Sequence, residues 1–166
     1  MFGDVDAIDY VVVDGRTRFE FLIDGTIDVL SAATTYTFSR NVDKRLEFLP
    51  TTYYDGQGFI VRRTLGVSSA KQLSGAKICF SGSGTAKNNI KDFFKLHNLD
   101  YVPVEVPVDK KPKDLYIDGK CDMYGTDASG LASNRHGFKH PERHVILPEI
   151  ISKEPLGPVV RYGDQQ

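Results

Sequence analysis

Residues 77–85, Lys77-Ile78-Cys79-Phe80-Ser81-Gly82-Ser83-Gly84-Thr85, run from a short apolar segment into a polar glycine loop. Residues 86–96 follow with Ile90, Phe93 and Phe94 at the spacing of one helical face. Strand, tight loop and amphipathic helix make one βα step, and such steps imply a parallel sheet with helices packed against it. A second step is read nearer the start of the chain. Tyr10-Val11-Val12-Val13 is a β-branched run closed by Asp14-Gly15, and residues 16–23 carry Phe19, Leu22 and Ile23 at helical spacing. Ile27-Asp28-Val29-Leu30 follows as another short strand, completing a βαβ unit. Residues 58–63 read as extended, and 68–73 as a short helix before Gly75. Beyond the decisive stretch, residues 101–106 alternate, but Pro103 and Pro107 cannot donate ladder bonds, which places that strand at a sheet edge. A short helix over 113–117, a strand at Cys121-Asp122-Met123-Tyr124, a loop over 134–139 and extended segments at 144–147 and 157–161 complete the pattern. The fold class is α/β.

The chain has 166 residues, of which 40% are hydrophobic and 26% charged, enough for one compact domain or two small lobes. A formal net charge of −1 leaves no basic footprint for neutralising phosphates, so nucleic acid is not an expected partner. No apolar run approaches the ~20 residues that cross a bilayer, and the opening Met1-Phe2-Gly3-Asp4 carries no signal peptide. The expectation is a soluble chain without its export signal. Two cysteines, Cys79 and Cys121, are too few for a disulfide scaffold or for a metal site alone. One bridge and two buried thiols are both compatible with the residues.

Several motifs fail on inspection. The glycine loop lacks a glycine near Lys87, as a dinucleotide fold would require, and has Gly84-Thr85-Ala86 where a phosphate loop needs Gly-Lys-Ser/Thr. What survives is a helix start suited to an anion such as a carboxylate. His136, His140 and His144 are spaced by four, but Pro141 interrupts any common helix, so no metal site is assigned. Ser129 lies in Ala128-Ser129-Gly130 without the elbow of a serine hydrolase, and no catalytic residue is assigned.

Three other pieces point to one chemistry. Residues 31–40, Ser-Ala-Ala-Thr-Thr-Tyr-Thr-Phe-Ser-Arg, place hydroxyls and Arg40 just past an expected strand end, where open α/β sheets bind ligands. The planar guanidinium fork suits a carboxylate. Thr85 stands at a helix start, and Asp127 just past the 121–124 strand. A cation, hydroxyls with backbone N–H groups and a carboxylate are what a zwitterionic α-amino acid requires. Each also has a plainer reading: Arg40 as a surface helix residue, Thr85 as a cap, and Asp127 as the N-cap before Ala128.

Over nearly its whole length the sequence resembles the polar amino-acid-binding proteins of ABC importers, most closely their general L-amino-acid receptors. The most specific stretches are Gly25-Thr26-Ile27-Asp28-Val29-Leu30-Ser31, Tyr53-Tyr54-Asp55-Gly56-Gln57-Gly58-Phe59, Thr126-Asp127-Ala128-Ser129-Gly130-Leu131 and residues 147–158. The resemblance implies a two-lobed periplasmic-binding-protein type II fold with lobe one incomplete: residues 1–63 as partial lobe one, 64–154 as lobe two and 155–166 as a returning crossover. It implies ligand contacts from Arg40 and Thr35 to an α-carboxylate, from Thr85 at the second helix start, and from Asp127 to an α-ammonium. Ala33 stands where the family tends to have a polar residue, leaving its carbonyl as the group to meet the ammonium. The implied activity is binding a free L-amino acid in the periplasm and delivering it to a membrane permease, with no cofactor and no chemistry. A dehydratase-like enzyme on the same scaffold and a truncated, non-binding paralogue are the alternatives. The resemblance also sets Cys79 and Cys121 on neighbouring strands, where a bridge is expected, and the incomplete lobe suggests a homodimer.

Overall fold

The computed structural model describes residues 4, 6–104, 106 and 110–164. In chain order the regular elements are α1 (Arg18–Ile23), α2 (Phe38–Val42), β1 (Leu46–Phe48), β2 (Tyr53–Asp55), β3 (Gln57–Arg62), β4 (Ala76–Cys79), α3 (Ala86–Leu96) and β5 (Tyr101–Val104). They continue with α4 (Pro112–Ile117), β6 (Met123–Asp127), α5 (Ala128–His136), β7 (His144–Ile146), β8 (Glu154–Leu156) and β9 (Val159–Arg161). Two compact units form, one from Met1–Thr52 with Gly157–Gln166 and the other from Tyr53–Leu156. The division at 63/64 and 154/155 expected from sequence is therefore displaced. Strand β3 is committed to the second unit by its ladders to β6 and β7, and β8 by its ladder to β2.

The second unit is built on a five-stranded sheet in the order β5-β4-β6-β3-β7. Strand β4 runs parallel to β5 and β6, whereas β3 is antiparallel to both neighbours. Side chains alternate between faces along each strand. Phe59, Val61, Ile78 and Met123 enter one buried cluster with Ile90, Phe93 and Phe94 of α3. Ile60, Cys79 and Tyr124 enter the other with Leu115 and Tyr116 of α4 and Leu131 of α5. Helices thus cover both faces, which is why the central strands carry near-continuous apolar runs. Each fully buried large side chain contributes roughly 1.5–3 kcal/mol. Helix α3 ends where Asn98 turns left-handed at φ 52°, with Leu99 N–H donating to Phe94 O at 2.9 Å and Asn98 N–H to Lys95 O at 3.1 Å. Among the described residues strand β5 pairs only with β4, the edge position that Pro103 requires, while Glu105 and Pro107 lie outside them.

Cys79 and Cys121 are joined as a disulfide with Cα atoms 5.8 Å apart, both buried in the second cluster. Cys121 itself precedes the strand, which begins at Met123. Closing a loop of 42 residues restricts the unfolded chain, worth about 3–4 kcal/mol in the chain-entropy account. Beside the bridge, Arg62 donates to the carbonyl of Cys121 at 2.9 Å and to that of Tyr116, and its guanidinium lies 4.6 Å from the Tyr116 ring centroid.

The first unit is smaller. Strands β1 and β9 pair antiparallel, and Leu22, Leu30, Leu46 and Val159 form its core, with Phe19, Ile27 and Phe48 packed against them. Arg161 of β9 ties α1 and the following loop together, donating to Leu22 O at 3.2 Å, Ile27 O at 2.8 Å and the Asp28 carboxylate at 2.8 Å. The βαβ unit expected here is absent among the described residues. Residues 10–13 form no strand, with Tyr10 and Val12 exposed at 87% and 94%, and of residues 27–30 only Leu30 makes a bridge, antiparallel to Val159. β-branched composition favours extended backbone, but a strand also needs a hydrogen-bonding neighbour. The loop expected over 134–139 differs: α5 runs through His136, since no glycine or proline falls between Leu131 and His136, and Arg135 Nε donates to Pro141 O at 3.1 Å. The helix expected over 68–73 shortens to a 3₁₀ turn at Ala70–Gln72.

His144, buried in β7, places Nδ1 2.7 Å from the Tyr116 hydroxyl. Burial, then the positive charges of Arg62 and Arg135, hold its imidazole below the ordinary histidine range against the opposing pull of Glu142. Burial also pushes the Tyr116 phenol up to about 12, with Arg62 opposing. Above the ordinary imidazole pKa both folded and unfolded His144 are neutral and contribute no pH dependence. Below it the unfolded chain takes up a proton that the folded chain refuses. Stability is therefore expected to fall as pH drops through about 6.5, and urea unfolding at pH 7 and pH 5 should show a smaller drop for His144→Gln than for the unsubstituted protein.

Candidate functional site

Each unit holds part of the residue set singled out from sequence. In the first unit Thr37 caps α2, accepting from Arg40 N–H at 3.2 Å, which fixes the start of the helix that carries Arg40. Arg40 is not a surface residue. It is 8% exposed, its Nη1 donates to Thr35 O at 2.7 Å, and its guanidinium lies 5.2 Å from the centre of the Phe19 ring. Thr34 and Thr35, just before α2, are buried as well. Arg18 lies 4.8 Å from the same ring and donates through Nη1 to Ala33 O at 3.0 Å and Thr34 Oγ1 at 3.2 Å. The Ala33 carbonyl, expected to meet an ammonium, thus already accepts a bond from Arg18. Lys44 Nζ approaches the ring at 5.8 Å as a third cation. Positive charge gathered around one aromatic ring beside a threonine pair suits an anion.

In the second unit Thr85 occupies the N-cap position of α3 without a capping bond. Its hydroxyl instead donates to Glu154, 3.3 Å from each carboxylate oxygen. Asp127 occupies the N-cap position of α5, also without a side-chain capping bond. Asp55 supplies that cap from the end of β2: its carboxylate accepts from Ser129 N–H at 3.4 Å and from the Ser129 hydroxyl. The backbone of Asp127 is held by the β3–β6 ladder opposite Gln57, and Ala128 N–H donates to Gly56 O at 2.8 Å. Gly56 is required there, because a Cβ would lie 2.8 Å from Ser152 O. Thus neither Thr85 nor Asp127 makes a side-chain capping bond to the helix it precedes.

No protein-family profile matches the chain. Over 164 residues it is 51% identical to the glutamate/glutamine/aspartate/asparagine-binding protein of Rhodobacter capsulatus, covering 99% of this chain and 48% of that protein. It is 49% identical to the general L-amino acid-binding periplasmic protein of Rhizobium johnstonii, covering all of this chain and 49% of that one. The chain is a homologue of the amino-acid-binding periplasmic proteins of ABC transporters. Among solved structures, the ABC transporter/periplasmic binding protein from Brucella ovis with glutathione bound superposes with a TM-score of 0.93 at 42% identity, covering 99% of this chain and 52% of that chain. Such structural neighbours are two-lobed periplasmic amino-acid-binding proteins, and the relatives are binding proteins rather than enzymes. The chain spans about half the length of the curated relatives it matches.

Within this homologue of amino-acid-binding proteins, sequence reasoning passed over Arg18, Asp55, Asn89, Ser152 and Glu154. Asp55, Ser152 and Glu154 lie inside stretches that carried the resemblance, but a one-dimensional reading gives no sign that a carboxylate at 55 caps a helix starting at 128. His136, His140 and His144 fall on α5, a loop and β7, and no metal-holding group is found among the described residues. Because Asp55 caps α5, Asp55→Ala is expected to lower stability by about 1 kcal/mol. Asp127→Asn should cost less, and urea unfolding of the two variants will show whether the division of roles holds.

Proposed function

We propose that the chain acts in a periplasmic solute receptor that binds a free L-amino acid and delivers it to the permease of an ABC importer. The observation that carries this reading is the buried Arg40, its guanidinium anchored on the Thr35 carbonyl, among binding-protein homologues at 49–51% identity. In this reading Arg40 and Thr35 take the α-carboxylate, while Thr85 and Asp127 serve the remainder of the zwitterion, with Ala33 contributing its carbonyl as far as Arg18 allows. No covalent step and no cofactor are required. The glutathione of the Brucella ovis structure fits the same chemistry, because a γ-glutamyl group keeps its α-ammonium and α-carboxylate free. Self-association belongs to the same proposal, supported by the exposed Tyr10, Val12 and Val29 of the first unit, apolar side chains that a second copy would cover.

Calorimetry against the twenty amino acids and glutathione tests the reading, with ultracentrifugation reporting the oligomeric state of the same sample. Affinity without turnover is expected. Arg40→Lys keeps the charge but loses the planar fork, and it should weaken binding by about tenfold or more. Unchanged affinity in that variant, or no binding by the unsubstituted chain, would remove the proposal.

A further inference from the structure

Glu154 is 2% exposed at the start of β8, and several donors converge on its carboxylate. Asn89 Nδ2 donates to Oε1 at 2.7 Å, the Ser152 hydroxyl donates to Oε1 at 2.7 Å, and the Thr85 hydroxyl lies 3.3 Å from both oxygens. The direction of each bond follows from its neighbours. Gln57 N–H donates to Ser152 Oγ at 3.0 Å, so the hydrogen of Ser152 is left for Glu154. Asn89 also donates to Gln57 Oε1 at 3.0 Å, and Gln57 Nε2 turns to Ala86 O at 3.4 Å. A carboxylate has no hydrogen to give, so in the contact with Thr85 the hydroxyl must be the donor.

We propose that Glu154 is a positioning residue that fixes the polarity of Thr85, so that Thr85 accepts a hydrogen bond from an N–H of the ligand's α-ammonium rather than donating to its carboxylate. A hydroxyl has one hydrogen and two lone pairs, and once the hydrogen is committed to Glu154 only acceptor capacity remains for a ligand. The second unit then offers Thr85 and the Asp127 carboxylate as acceptors for the ammonium. Gln57 links the two positions within the second unit, since it stands opposite Asp127 in the β3–β6 ladder while its side chain holds Asn89. The inference rests on the reading that Thr85 contacts a bound amino acid.

The test is calorimetry of the whole chain with L-glutamate and with glutarate, which lacks only the ammonium. Thr85→Val removes the hydroxyl at equal size, and Glu154→Gln supplies an amide that can donate to Thr85 and reverse its polarity. Each is expected to weaken L-glutamate binding about tenfold or more while changing glutarate binding by less than about twofold. The double variant should bind L-glutamate no more weakly than the weaker single variant, because both act on one contact. Thermal unfolding monitors folding, and Thr85→Ser, which keeps the hydroxyl, should retain L-glutamate affinity within about threefold. Equal losses for both ligands, additive losses in the double variant, or undiminished L-glutamate binding would overturn the proposal while leaving the receptor reading standing. Should glutarate bind too weakly to measure, the additivity of the two substitutions decides on L-glutamate alone. An unsubstituted chain that binds neither probe would end the receptor reading for this ligand, and the role of Glu154 with it.

Discussion

The side chain of Gln57 is 1% exposed, and a buried amide left without partners costs more than most single contacts gain. Around that constraint the second unit is arranged. The amide donates to Ala86 O at the start of α3 and accepts from Asn89 one turn further along, so it locks the helix to the first residue of β3. The Gln57 backbone N–H reaches Ser152, and its carbonyl accepts from Ile151 N–H at 2.8 Å, which fixes the segment leading to β8. From there Glu154 is placed against Thr85. One satisfied amide thus positions the end of a strand, a helix start and a buried carboxylate.

Strand β3 transmits the same constraint into the core. It lies between β6 and β7, and its residues 57–61 are buried, which only a strand with two ladders and helices on both faces permits. Its register places Gln57 opposite Asp127 and Ile60 opposite Tyr124, so the polar end of the strand faces the polar end of β6 while the apolar middle is packed. The disulfide closes the opposite end, joining β4 to the residue two before β6. A sheet held at both ends of its middle strands gives the helix starts at Thr85 and Asp127 a rigid base.

In the first unit the organising groups are arginines. Arg161 gathers carbonyls of α1 and of the loop after it, and Arg18 holds Ala33 and Thr34. Arg40 then reaches Thr35 from α2. The guanidinium groups of Arg161 and Arg18 each serve several acceptors at once, which a lysine cannot do with the same geometry. A small unit with a four-residue core depends on such clamps for loop order more than a large one does.

Much of this was legible in the chain itself. The run 77–96 specified strand, loop and helix because Ile78 and Cys79 precede glycines and Ile90, Phe93 and Phe94 share a face, and Pro103 placed β5 at an edge because proline lacks the donor that an inner strand needs. The residue types at 35, 40, 85 and 127 raised the expectation of a zwitterionic ligand, which is carried on as a proposal. Sequence failed at residues 10–13 and 27–30, where propensity was read without knowing which strand would supply the hydrogen bonds, and at the unit boundaries, which pairing between distant strands fixes. Only the tertiary structure showed that Asp55 caps α5, that Arg18 holds the Ala33 carbonyl and that Glu154 takes the hydrogen of Thr85. Local pattern determines which backbone shape a segment favours, whereas the partner of a polar group in these contacts lies 15, 69 or 74 positions away, and no local pattern encodes that choice.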